Sequence, residues 1–330
     1  MASVAEAKRI EKRFKLPEIV DWLLAGDPAI AFQTLRDIGR AGDNDLIAAQ
    51  RQIAREGWGR AYLDRRGANG HWGQKYYFPK WTCTHYSLLD LRNLGLPRDN
   101  EAARQSVHLI ATTEKQPDGG VGPGADVAKS DVCVAGMFLN YASYFGEPEE
   151  SLRSVVDFLI GMRMGDGGFN CQLNRSGARH SSLHSTTSVL EGILSYRSQG
   201  YEYRADELGE IALGAHEFIL MHRLYKSDHT GMIIHPGFLK FAVPPRWKYN
   251  ILRALDYFGA AGVAYDERMR DALEVVEGKR RKDGRWNAEA AHPGEVHFKF
   301  ETPRQPGRWV TLIALRVMKA FGDQYRAQPQ

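Results

Sequence analysis

The stretch Gly165-Asp166-Gly167-Gly168-Phe169-Asn170 decides how this chain is read, because variants of it recur along the sequence. Clear copies are Ala68-Asn69-Gly70-His71-Trp72-Gly73, Pro117-Asp118-Gly119-Gly120-Val121-Gly122 and Lys282-Asp283-Gly284-Arg285-Trp286-Asn287. Weaker ones lie at Gly26-Asp27-Pro28 and Asp228-His229-Thr230-Gly231-Met232. An Asp or Asn followed by Gly supplies the left-handed backbone position that reverses a chain, and the apolar residue after it can plug the end of the neighbouring unit. A spacing of roughly 40 to 65 residues accommodates two helices and their connections.

Between the turns the apolar spacing is helical. Before each turn lies a segment with regular polar positions: Asp45 to Leu63, Arg98 to Lys115, Pro148 to Met164, Asp206 to Tyr225 and Asp266 to Arg281. One polar face predicts an outer position. After each turn comes an irregular stretch and then a more uniformly apolar helix: Cys83 to Leu94, Val132 to Phe145, Leu183 to Tyr196, Trp247 to Phe258 and Trp309 to Phe321. A helix apolar on most faces must be surrounded, so these form an inner ring. With a shorter first pair, Ile19 to Leu24 and Ile30 to Ile38, the expectation is an all-α, (α/α)6 toroid of about twelve helices, a single domain over residues 1–330. An open solenoid would need atypical polar caps at both ends, and closure is the better reading.

The 330 residues are 43% hydrophobic, and 44 Lys and Arg against 40 Asp and Glu leave a formal charge of only +4. That balance does not call for a nucleic-acid partner. Three cysteines, Cys83, Cys133 and Cys171, cannot build a disulfide framework and suit a reducing compartment. No apolar stretch approaches membrane-spanning length, so the expected location is cytoplasmic, with peripheral membrane contact left open.

Asp-Gly-Gly-Phe-Asn at 166–170 and Asp-Gly-Arg-Trp-Asn at 283–287 resemble the repeat of the terpenoid cyclase and protein prenyltransferase superfamily, over nearly the whole chain. The resemblance implies a central apolar cavity for an isoprenoid or other apolar small molecule. The proton-initiated cyclases' Asp-x-Asp-Asp motif is absent from the sequence. Protein prenyltransferases carry a zinc ion held by an Asp-x-Cys pair and by a His in the next repeat, and Asp131, Cys133 and His184 occupy those positions. Carboxylate, thiolate and imidazole form a reasonable catalytic zinc set with one open position. Asp131 and Cys133 can converge only if Asp131 has non-helical backbone angles at the helix cap. Each residue alone also has a plain reading, as a cap, a small core residue and a partner for a backbone carbonyl.

His85 stands as a fourth ligand or a substrate contact. Tyr86, Trp247, Tyr249 and Trp309 are candidate cavity lining or plain core, and Arg246 and Arg308 are candidate diphosphate contacts, or else lie at the surface or pair with carboxylates. The family's Arg and Lys before the Asp-x-Cys pair are missing apart from a displaced Lys129, and its members work with a separate helical subunit. The leading expectation is a zinc-dependent isoprenoid-handling enzyme for prenyl transfer or cyclisation. The alternatives are a non-catalytic lipid-binding or interaction scaffold and a metal-free cyclase using Asp126 or Glu191. Glycosidases of this architecture need paired acids, and no pair here has distinguishing surroundings.

Overall fold

A computed structural model of the chain describes residues 16–39, 41–122, 129–172 and 176–327. Within them lie thirteen α-helices and no β-strand beyond isolated bridges. The inner ring is α2 (Pro28–Asp37), α5 (Thr84–Leu94), α7 (Val132–Tyr144), α9 (Leu183–Ser198), α11 (Ile251–Ala260) and α13 (Arg308–Ala327). The outer layer is α1 (Leu16–Leu24), the pair α3 (Asp43–Gln52) and α4 (Gly57–Leu63), α6 (Glu101–Thr113), α8 (Glu149–Gly161), α10 (Ala205–Met221) and α12 (Arg270–Gly278). This is the expected (α/α)6 toroid. The inner helices α5, α7 and α9 are buried along most of their length.

The repeated turns do two jobs. Gly70, Gly119, Gly167 and Gly284 all have φ between +84° and +92°, the left-handed position that the preceding Asn or Asp predicted. The residues that follow, Trp72, Val121, Phe169 and Trp286, are essentially inaccessible to solvent. Three of these plugs are fastened in the same way: the backbone N–H of Trp72, Phe169 and Trp286 donates to the hydroxyl of Thr84, Thr186 and Thr311, in the first turn of the next inner helix. Each turn thus fixes where an inner helix begins. The Asp166 carboxylate also accepts from the Ser181 N–H and O–H, and Asp118 does the same with Ser130, which ties the irregular stretch back to the turn.

Closure is visible in side chains. Arg308 at the start of α13 donates from Nε to the Trp22 carbonyl at 2.9 Å and lays its guanidinium 4.7 Å from the Trp22 ring centroid. Further along α13, Arg316 reaches Gln33 and Asp37 of α2. The last helix therefore packs on the first. Elsewhere the wall is tightest between α7 and α9, where a Cβ on Gly136 would sit 2.7 Å from the Val189 Cα. Only glycine permits backbones to approach so closely. One expectation needs correction: the outer segment Asp45 to Leu63 is two helices, broken before Gly57 (φ +66°), where a Cβ would run into Asp27. No helix among the described residues is long and apolar enough to cross a membrane.

Candidate functional site

The inner helices begin at one end of the ring, and the ten residues singled out from sequence lie among their starts and the loops joining them; Trp309 also reaches the cavity. Two long loops close this end. The loop before α13 places Pro293 on the Trp81 indole N–H (2.7 Å), His297 on the Ser87 hydroxyl (2.9 Å) and Phe298 and Phe300 on Tyr62 and Trp58. The loop before α11 places Tyr249 beside His184. The result is an aromatic plug.

Asp131 is the N-cap of α7 with φ −86° and ψ 121°, the non-helical geometry that a shared ligand role with Cys133 required. Cys133 instead meets a residue that the motif reading passed over. Its backbone N–H donates to the Cys171 sulfur at 3.2 Å, and the hydrogen bond between the two thiols pushes Cys133 well above the usual thiol range and holds Cys171 below it. His184 accepts the Tyr249 N–H at Nδ1 (2.7 Å) and stacks edgewise on Phe238 and Trp247; burial, with nearby cations, holds it down to about 4. Among the described residues no group of three His, Cys, Asp or Glu side chains could hold a metal ion. The zinc expectation is corrected accordingly.

His85 is fully buried, with Nδ1 3.0 Å from the Tyr76 hydroxyl and 3.3 Å from that of Tyr141, and burial pulls it down to about 3. Tyr86 shares a hydrogen bond with Tyr77. Arg246 lies 4.7 Å over the Trp81 ring and 3.6 Å from Asp90, whose other partner is the Tyr62 hydroxyl at 2.6 Å. This is the carboxylate-paired reading of Arg246, placed in the interior. Trp247 packs on His184, and the Tyr249 hydroxyl donates to the Leu224 carbonyl. Arg308 belongs to the ring seam described above. Trp309 stacks on Trp58 and is the one member of the set that also reaches the central cavity.

That cavity, about 670 Å³, runs through the ring and draws lining from all six inner helices, mostly from their C-terminal halves. Its volume suits a small molecule. Arg36, Arg92, Arg253, Arg316 and Lys319 line it together with Asp37, Glu191 and Asp256, an excess of two positive charges. Arg253 grips Glu191 with two bonds of 2.7 Å, and Arg316 grips Asp256 at 2.8 and 2.7 Å while reaching Asp37 at 3.0 Å. Burial alone would raise Asp37, but Arg36 and Arg316 outweigh it and hold the carboxyl below its usual range.

Arg92 differs from the other guanidinium groups that line the cavity. It bonds to the Asn93 side chain at 3.2 Å and lies 5.8 Å from the Tyr144 ring, while its Nε is buried with no hydrogen-bond partner among the described residues. Burial pulls this guanidinium below its ordinary value. Sequence reasoning weighed Glu191 only as a displaced cyclase acid and missed the other charged lining residues; Asp126, weighed beside it, lies outside the described residues. The available signal was a charge inside an otherwise apolar helix, as at Arg92 within Leu88-Leu89-Asp90-Leu91-Arg92.

No family model and no curated protein matches the chain. Among solved structures, it is similar to a glycosyl hydrolase of family 88 from Bacteroides vulgatus, with a TM-score of 0.51 and 13% identity, covering 94% of this chain and 99% of the other. It is also similar to a polysaccharide lyase, with a TM-score of 0.51 and 10% identity, covering 96% and 99%. At these identities the likeness establishes the toroid fold. The expected kinship with terpenoid cyclases and protein prenyltransferases is overturned, because the solved toroids matched are titled as carbohydrate enzymes. The apolar or isoprenoid substrate falls with it, as does the zinc-dependent isoprenoid activity. The physical reason lies in the cavity: an isoprenoid chain placed there would desolvate guanidinium and carboxylate groups without returning a hydrogen bond. The lipid-binding scaffold is disfavoured on the same ground.

Proposed function

We propose that this protein is a carbohydrate-processing enzyme whose central cavity takes a sugar bearing an acidic group. The observation that carries the reading is the cavity lining itself, with five cations against three carboxylates; one of the five, Arg92, has an Nε without a partner among the described residues. Hydroxyl-rich ligands replace water at such groups with direct hydrogen bonds, and a carboxylate matches the planar fork of an arginine. The carbohydrate titles of the two structural neighbours support the same substrate class.

In this reading Arg92 receives the ligand's acidic group. Glu191 is the carboxylate best placed for proton transfer, because Arg253 and the Ser188 hydroxyl fix its surroundings while part of its side chain remains open to solvent. Trp309 offers an apolar ring at the cavity's inner end for a sugar face.

The test is a panel of uronate-containing and neutral oligosaccharides, followed by reducing-end release for hydrolysis and by ultraviolet absorbance of a new conjugated alkene for elimination. Binding is read in parallel by calorimetry. Turnover of acidic members, lost in Glu191→Gln with binding retained, is the expected result. Failure of every acidic saccharide to bind or react would sink the proposal.

A further inference from the structure

Two of the three cysteines meet at the start of α7. The Cys171 sulfur accepts the backbone N–H of Cys133 at 3.2 Å and the Ser185 hydroxyl at 3.3 Å. Ser185 is held in place because it accepts the Cys171 N–H at 3.1 Å. The Cys133 amide belongs to the first turn of a thirteen-residue helix, so the sulfur sits where the helix end favours negative charge. Both side chains are partly exposed, whereas Cys83 is buried with its thiol directed to the Lys80 carbonyl and is pushed up to about 12 by burial.

We propose that Cys133 and Cys171 form a redox-responsive thiol pair that closes reversibly into a disulfide by exchange with a small-molecule disulfide. Cys171 attacks one sulfur of glutathione disulfide; a bond forms between Cys171 and that sulfur, the glutathione disulfide bond breaks, and one glutathione thiolate leaves. Cys133, whose backbone amide already touches the Cys171 sulfur, then attacks Cys171 and expels the second glutathione. The two protein thiols lose two electrons and two protons, and one glutathione disulfide becomes two glutathione thiols. Donors converging on one sulfur mark it as the first nucleophile, and a neighbouring thiol makes it resolvable.

The closed bond would tie the turn after α8 to the start of α7. Its atoms lie at the start of α7 and in the turn after α8, away from the residues that line the central cavity, so the pair is independent of the carbohydrate reading.

The experiment uses the full-length reduced protein, incubated with glutathione disulfide, quenched by alkylation and read by intact mass and peptide mapping. The expected result is loss of two hydrogens, one alkylatable thiol at Cys83, a Cys133–Cys171 crosslinked peptide, and full reversal by dithiothreitol. Cys83→Ser should retain the crosslink, and Cys133→Ser should trap a single glutathione adduct on Cys171. Three alkylatable thiols after treatment, a persistent glutathione adduct on the unmodified sequence, or a crosslink through Cys83 would each overturn the pair. A Cys171→Ser protein that takes up glutathione at Cys133 would overturn the order of attack.

Discussion

The two ends of this ring use polar groups in opposite ways. Where the inner helices begin, histidines, tyrosines and one Arg–Asp pair are folded into an aromatic plug and bond largely within it, although His85 Nε2, Asp90 Oδ1 and Arg246 Nε are buried without a hydrogen-bond partner among the described residues. Deeper in the ring, arginines and carboxylates border an open volume. A motif of reactive residue types therefore marked the structural end of the molecule, while the chemically available groups lie deeper in the ring. Residue type gives potential chemistry; access to a ligand decides whether it is used.

The comparison breaks most readily with acid. Burial holds His184, His292 and His297 down to about 4 and His85 to about 3, against an ordinary value of 6.5. Groups depressed in the fold contribute stability that is fully present above 6.5 and lost as pH falls through their folded values. The plug should therefore weaken between pH 6.5 and 4, while Asp37, held below its ordinary 3.8, sustains its contribution until the pH drops further. Urea midpoints measured across this range should fall first above pH 4, and His297→Gln should flatten that limb. A midpoint constant down to pH 4 would contradict the account.

Deleting one carboxylate from the plug and one from the cavity gives the next contrast. Asp90→Ala would leave the buried Arg246 without its counter-charge and should cost about 3–5 kcal/mol. Asp256→Ala removes a partner of Arg316 that still holds Asp37 and Gln33 and borders the cavity, so a loss of about 1–2 kcal/mol is expected. Equal losses in chemical denaturation would erase the distinction between plug and cavity. The smallest effect on stability should come from Arg92→Met, because that guanidinium lacks a carboxylate bond; the change should stay within about 0.5 kcal/mol. The same substitution should abolish most of the binding of acidic saccharides in calorimetry, leaving neutral ones little altered.

Much of the fold could be read from sequence because its punctuation is chemical. A Gly after Asp or Asn predicted the left-handed turn, and the Trp or Phe that follows predicted a plug. The inner helices were legible as apolar runs because they are surrounded. The break at Gly57 was not, since it answers to Asp27 in a neighbouring unit. Glu191, weighed as a displaced cyclase acid, and Trp309 both border the cavity, and the rest of its lining was obscure for a related reason. Asp131, Cys133 and His184 stand at helix starts in the order a zinc set would have, but the local pattern carries no information about Tyr249 occupying the imidazole or Cys171 meeting Cys133. Arg253, Asp256 and Arg316 resemble the polar face of an exposed helix until closure turns that face inward.

The seam between Arg308 and Trp22 also bears on how such a molecule can change in size. A linear array can gain or lose a repeat and keep its remaining interfaces, whereas a closed circle has an integer number of places. Excising one helix pair would leave α13 and α2 facing a gap, so a circle of this kind loses its closing interface where a linear array would only become shorter.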